Sequence, residues 1–228
     1  MYAARVGIPE FKSSLQRIGE YSRTEHRLDA VVHVAGILLA INASLWLIAQ
    51  VVSNYTGLSV VISVSVYCAG LLAMILASAG YNLSRHPRSR EILRRLDHAA
   101  IFIMIAATYT PFAANRLGGA TGTALLAAIW LSATAGVALK FLAPRRFEKV
   151  SIALYLAMGW MVLAVIQPLA ASVATVDFWL LIAGGLVYSA GVAFHVIERI
   201  PFHKAIWHAL VLVAAALHFI AIAAEFAA

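Results

Sequence analysis

Carboxylates and imidazoles recur at helical spacing inside stretches that are otherwise apolar. Glu25, Asp29 and His33 follow one another at intervals of four, and Lys204 and His208 repeat that interval near the far end. Residues four apart share one face of an α-helix. Ser78, Tyr81 and Asn82 close another apolar stretch, with His86 one turn beyond, and Asp97 and His98 open the next. Groups of these types could move protons, hold a divalent cation or grip the polar end of an amphiphile. An Asp or Lys at the centre of a membrane helix costs roughly 2.5–3.5 kcal/mol on insertion scales, so a cluster of them at one depth calls for a reason. Blander readings apply at the margins. Glu25, His26 and His86 sit where headgroup water would solvate them, as do His195 and Glu198. His218, ten residues beyond His208, reads as a group bonding one helix to another.

The elements that must carry these residues are transmembrane helices. Hydrophobic residues make up 63% of the 228, and charged residues only 12%. Mean hydropathy is +0.88. A soluble core of this chain length cannot hide so much apolar side chain. A spanning helix needs about 20 apolar residues. Seven stretches qualify, approximately 29–51, 58–84, 97–116, 119–141, 149–170, 177–197 and 204–226. Breakers fill the gaps: Asn54-Tyr55-Thr56-Gly57, His86-Pro87, Gly118-Gly119, Pro144 and Pro201. Within spans, Thr108, Thr110 and Pro111, and later Gln167 and Pro168, mark kinks. Gly184, Gly185 and Gly191 suit close helix packing. The expected fold is therefore all-α, a polytopic seven-helix transmembrane bundle forming one domain over 29–228.

Net charge is +7. Seven spans place all but Arg116 of the 17 lysines and arginines on one side of the membrane. Such asymmetry is the signature of cytoplasmic loops, and it excludes a nucleic-acid surface as the reason for the charge. The N-terminus is then cytoplasmic and the C-terminus outside. Residues 1–28 form a cytoplasmic segment in which Ile8, Phe11, Leu15 and Ile18 recur at helical spacing, predicting a short interfacial helix. No cleavable leader is visible, so the first span is expected to act as its own insertion signal. Cys68 is the single cysteine, which excludes an intrachain disulfide and a cysteine metal site.

Three segments carry a resemblance. They are Ser78-Ala79-Gly80-Tyr81-Asn82-Leu83, Leu96-Asp97-His98-Ala99-Ala100-Ile101-Phe102 with its continuation Ile105-Ala106-Ala107-Thr108-Tyr109-Thr110-Pro111-Phe112, and Pro201-Phe202-His203-Lys204-Ala205-Ile206-Trp207-His208. Together with Glu25, His33 and Gly36 they resemble the hemolysin III family, the bacterial branch of the progestin and adipoQ receptor superfamily. The resemblance covers nearly the whole chain. It implies seven spans in the same orientation in the bacterial cytoplasmic (inner) membrane. It also implies a zinc ion held by three histidines near the cytoplasmic side, with an aspartate close by. In the superfamily's receptors that arrangement looks like a hydrolase centre for lipid amides, with zinc activating water and the aspartate, here Asp97, handling protons.

Two of the three implied ligands are changed. The span 2 position is Asn82, the first span 7 position is Lys204, and only His208 matches. Asparagine is a poor zinc ligand, and a protonated lysine has no lone pair. In span 1 the family's Glu-Glu and asparagine stand as Glu25-His26 and Asp29. Either His86, His98 or His203 replaces a lost imidazole, or the Lys204 ammonium stands where zinc would, paired with Asp97 and near Asp29. The second option predicts a metal-free protein. The function expected first is thus a non-catalytic, lipid-binding or membrane-sensing protein with a degenerate metal site and membrane lipids as partners. The alternatives are a zinc-dependent, ceramidase-like hydrolase with a rebuilt ligand set, and a pore, transporter or cytolysin. The polar end cluster common to all three readings is Glu25, Asp29, His33, Ser78, Asn82, Asp97, Lys204 and His208.

Overall fold

A computed structural model describes residues 22–227, apart from Arg85, Pro144 and Glu198, and only the backbone of Arg88. The interfacial helix expected around Ile8–Ile18 lies outside the described residues. Among the described residues every regular element is helical. Seven helices are long and apolar enough to cross a membrane. They comprise α1 (Arg23–Asn54), α2 (Leu58–Leu83), α3 (Pro87–Phe112), α4 (Gly119–Leu142), α5 (Glu148–Gly159) with α6 (Ile166–Ser172) as two halves of the fifth span, α7 (Thr175–Val196) and α8 (His203–Phe226).

Two helices start earlier than hydropathy predicts, for local reasons. α1 begins at Arg23 because Ser22 and Glu25 form a capping box. The Glu25 amide donates to Ser22 Oγ (3.1 Å), and the Ser22 amide donates to Glu25 Oε2 (2.7 Å). Such a box satisfies two helix-end donors that apolar counting cannot see. α3 begins at Pro87, a residue suited to a first turn. Its polar start is held by Arg94–Glu91 (3.1 Å) and Arg95–Glu91 (3.2 Å) at i,i+3 and i,i+4.

The third span is the most enclosed, with 61% of its apolar window buried, against 11% in the sixth. Small residues let neighbours close on α3. A Cβ at Gly136 of α4 would stand 2.4 Å from the Phe102 ring, and one at Gly70 of α2 would stand 2.6 Å from Ala107 Cβ. Tyr67, Cys68, Leu71, Met104, Ile222 and Phe226 belong to the largest core cluster. α7 packs chiefly on α8 and only lightly on α5, while α8 also meets α1.

Prolines shape two spans. After Pro111, α3 widens into a π-helical turn over Ala113–Leu117, and Gly118 and Gly119 then turn the chain at φ +57° and +52°. That left-handed region is inexpensive only for glycine. In the fifth span the break lies one turn before Gln167-Pro168, as a 3₁₀ segment over Met161–Val165. Pro168 has no amide proton for the carbonyl of Ala164, so the helix upstream tightens while Pro168 itself sits in the first turn of α6. Tyr109 of α3 clamps the break. Its hydroxyl donates to the Gly159 carbonyl (2.8 Å) and accepts from the Val162 amide (2.9 Å).

Candidate functional site

Four helices bring the polar cluster together at the basic end of the bundle. α1 supplies Asp29 and His33, both buried and one turn apart. α2 ends with Ser78 and Asn82, α3 offers Asp97, and α8 supplies Lys204 and His208. Gly36 of α1 gives α8 its close approach, since a Cβ there would stand 2.8 Å from Leu212. That contact lies one turn above His208 and sets the distance between the two helices.

Asp29 is the hub. His208 Nδ1–H donates to Asp29 Oδ1 at 2.5 Å. His33 Nδ1–H donates to the Asp29 backbone carbonyl at 2.8 Å, leaving Nε2 to accept from Ser78 Oγ at 3.2 Å. Asn82 Nδ2 donates to the Ser78 carbonyl (3.0 Å) and meets Ser78 Oγ (3.4 Å). The two imidazoles pack edge to face with centroids 4.5 Å apart. Asp97 has His98, His208, Ser78 and His33 as polar neighbours.

Lys204 acts electrostatically on Asp29. The Lys204–Asp97 pairing anticipated from the sequence is not among the ion pairs of the described residues. The reason is rotational. Asp29 and His33 lie on the face of α1 turned to α8, where Asp29 meets His208 and the His33 ring packs against that of His208. Glu25 belongs to the boundary of the cluster. It caps α1, and its Oε1 accepts from the Phe202 amide (2.9 Å), tying the turn before α8 to the start of α1.

The fit to zinc is divided. The family positions do not suit it: Asn82 spends its amide on Ser78, and Lys204 brings an ammonium. A different set, Asp29, His33 and His208, offers one ligand atom each, all within 4.8 Å of one another. One carboxylate and two imidazoles suit zinc by type, and a Nδ1–H bond to a carbonyl is how a liganding histidine is usually oriented. Yet two of the three are already bonded to each other, and a cation there would have to displace the proton between His208 and Asp29.

A cavity of about 220 Å³ starts at this cluster and continues between the helices. His33, Ser78, Asp97 and His208 line its basic end, and Phe112, Leu117 and Leu169 its far end. Ile101, Ile105, Leu156 and Val192 line the stretch between. No residue pattern signals this cavity, because it is a property of how the helices are spaced.

A second polar network was also missed. Glu148, at the start of α5, meets Lys140 (2.7 Å), Arg94 (3.0 Å) and His98 (3.6 Å). Arg145 meets Glu91 (2.7 Å). Lys140, in the last turn of α4, is 4% exposed. The signal available was Glu148 itself, an acid set among four basic residues. At the opposite end Arg116 pairs with Glu225 (2.7 Å) and lies over the Phe226 ring. His218 behaves as its spacing suggested, with Nε2–H donating to the Leu181 carbonyl of α7 at 3.1 Å.

Comparisons with known proteins agree on one family. The model described as "Haemolysin-III related" matches residues 21–219. The chain is 37% identical over 188 residues to the Hemolysin-3 homolog of Bacillus subtilis (strain 168), covering 82% of this chain and 88% of that protein. It is 38% identical over 195 residues to Hemolysin-3 of Bacillus cereus, covering 86% and 89%. It is also 32% identical over 165 residues to the Homo sapiens Monocyte to macrophage differentiation factor, covering 69% and 67%.

Proposed function

Since the chain belongs to the haemolysin III-related family of integral membrane proteins, we propose that it is a non-catalytic member that binds a membrane lipid between its helices and senses or modulates the membrane through it. The cavity carries this reading. Its walls are apolar for most of their length, and its carboxylates, Asp97 and Glu148, gather at one end with His33 and His208. An amphiphile has the same division, with a chain for Ile101 and Val192 and a head for Ser78, Asp97 and His208. Such a pocket, apolar with a few convergent polar groups, is the usual form of a small-molecule site. In this reading Lys204 and the two imidazoles balance the carboxylate charge, and no metal is needed. The membrane is the bacterial inner membrane, with the basic end facing the cytoplasm.

Native mass spectrometry of protein extracted in a mild detergent tests the proposal. The expected result is a co-purified lipid near one per chain, unchanged on incubation. Val192→Trp, which fills the cavity, should reduce its occupancy several-fold. Wild-type protein free of lipid under conditions that preserve the fold would sink the reading.

One observation favours a second reading, a zinc-dependent hydrolase of lipid amides. It is the proximity of Asp29, His33 and His208. Stoichiometric zinc in the purified protein, with hydrolysis of a short-chain ceramide abolished by Asp97→Ala, would establish it and displace the first. The pore suggested by the relatives' name has less support, because beyond the basic end polar side chains of the cavity wall such as Thr108, Tyr109 and Ser189 donate to carbonyls of the protein's own helices.

A further inference from the structure

Most polar atoms that line the cavity are already bonded within the protein. Tyr109 bridges the break in the fifth span, and the Tyr155 hydroxyl donates to the His98 carbonyl at 2.7 Å. Thr108 donates to the Met104 carbonyl at 2.9 Å. Trp160 Nε1 donates to Ser189 Oγ at 3.0 Å. Two side chains of the cavity wall differ. Among the described residues, the Tyr188 hydroxyl and His218 Nδ1 are buried and have no hydrogen-bond partner. They are neighbours, with ring centroids 5.6 Å apart. The Tyr67 hydroxyl, in a residue 0% exposed, likewise has no hydrogen-bond partner among the described residues and interacts electrostatically with Tyr188.

A buried polar group without a partner costs about 1–3 kcal/mol, and native proteins keep few of them. Here two of them, on Tyr188 and His218, belong to neighbouring side chains of the cavity wall. Their chemistry is complementary as well as shared. His218 Nε2–H is committed to the Leu181 carbonyl, so Nδ1 carries the lone pair and can only accept. The Tyr188 hydroxyl can donate. A single hydroxyl placed between them would give its proton to His218 Nδ1 and accept one from Tyr188. Gly184 of α7 keeps the imidazole in place, since a Cβ there would stand 2.4 Å from its ring. At 1.5 Å per residue, the ten positions from His208 to His218 set this pair roughly 15 Å deeper than the basic-end cluster.

We infer that Tyr188 and His218 form a second polar subsite in the cavity, which binds a hydroxyl group carried partway along the chain of the bound lipid. The inference rests on the lipid-binding reading and narrows it to a hydroxylated lipid, polar at its head and again about 15 Å along the chain. A lipid with a plain hydrocarbon chain would leave both protein groups unpaired.

The test compares stearamide with a hydroxystearamide whose hydroxyl lies at mid-chain or beyond. Both are neutral at the head and differ only where the subsite would act. Binding to the purified full chain is followed through the fluorescence of Trp160 and Trp207, both of which line the cavity. The wild type should prefer the hydroxylated amide by about fivefold, the order expected for one net hydrogen bond. Tyr188→Phe should remove most of that preference by weakening the hydroxylated amide more than stearamide. It should not lower the melting temperature of the lipid-free protein, because it deletes an unsatisfied group. His218→Leu, a second variant, should also remove the preference. Equal affinity of the wild type for the two amides would overturn the subsite and assign the orphaned groups to buried water, while leaving lipid binding intact. A preference that survives in both variants would overturn it as well. Failure of either amide to bind would overturn the lipid-binding reading and this inference with it.

Discussion

Asp29 stands where two helices trade their charges. Its carboxylate takes the His208 proton, its carbonyl takes that of His33, and Lys204 acts on it from the next turn of α8. Removing one partner of a buried charged set leaves the others uncompensated, typically at about 3–5 kcal/mol. Asp29→Ala should therefore lower the melting temperature markedly, and more than Glu25→Ala, whose carboxylate is a cap at the surface. His208→Leu in the Asp29→Ala background should restore part of the loss, and the non-additivity measures the coupling of that directly bonded pair. The two variants adding independently would remove His208 from the set. The residues of this cluster were legible in the sequence, because polar side chains in apolar runs at spacing four stand out. Their pairing was not. Hydropathy gives depth along a helix to within a turn or so, whereas Asp29 or Asp97 meeting α8 is decided by rotation about each helix axis. That rotation is set by contacts such as Gly36 against Leu212.

The fifth span shows the same division at the scale of an element. Its existence and length were plain from hydropathy. The site of its break was not, since the proline pointed to Gln167 and the structure tightens over Met161–Val165. What selects that position is Tyr109, a residue two spans away that satisfies one carbonyl and one amide freed there. Tyr109→Phe removes both bonds at once and should cost about 1–3 kcal/mol, read as a fall in thermal stability. A change within error would mean the break is set by Pro168 alone. α4 supplies a second case. A Cβ at Gly122 would stand 2.1 Å from the Ala113 carbonyl oxygen, in the π-helical turn after Pro111. That neighbour is backbone and cannot swing aside, so Gly122→Ala should destabilise by at least about 1–3 kcal/mol, the usual range for overpacking. A Gly159→Ala control, where nothing stands within 4 Å, should be far milder. The early starts of α1 and α3 were within reach of the sequence, through the Ser22–Glu25 box and Pro87, had caps been weighed beside hydropathy.

For the molecule as a whole, the distribution of basic residues predicts a direction in the membrane that chemistry can test. Cys68 is buried and is the single cysteine, so an introduced thiol would be labelled against a silent background. Thr56 and Arg145 are both exposed, in turns at opposite ends of the bundle. In intact cells a membrane-impermeant maleimide should label Thr56→Cys and reach Arg145→Cys only after permeabilisation. The reverse pattern would invert the topology and detach the polar cluster from the cytoplasm.

The sixth span returns the question to solvent. With 11% of its apolar window buried, α7 is held mainly by α8, and its inner face borders the cavity rather than α5. A helix seated this way draws part of its stability from whatever fills the gap. A ligand at a hundred times its dissociation constant adds about 2.7 kcal/mol to the folded state. For a chain of this size that is on the order of several degrees in melting temperature. Heat resistance then becomes a readout of membrane composition. A panel of single lipids, ranked by the temperature at which the protein precipitates, would sort candidate occupants before any activity is known.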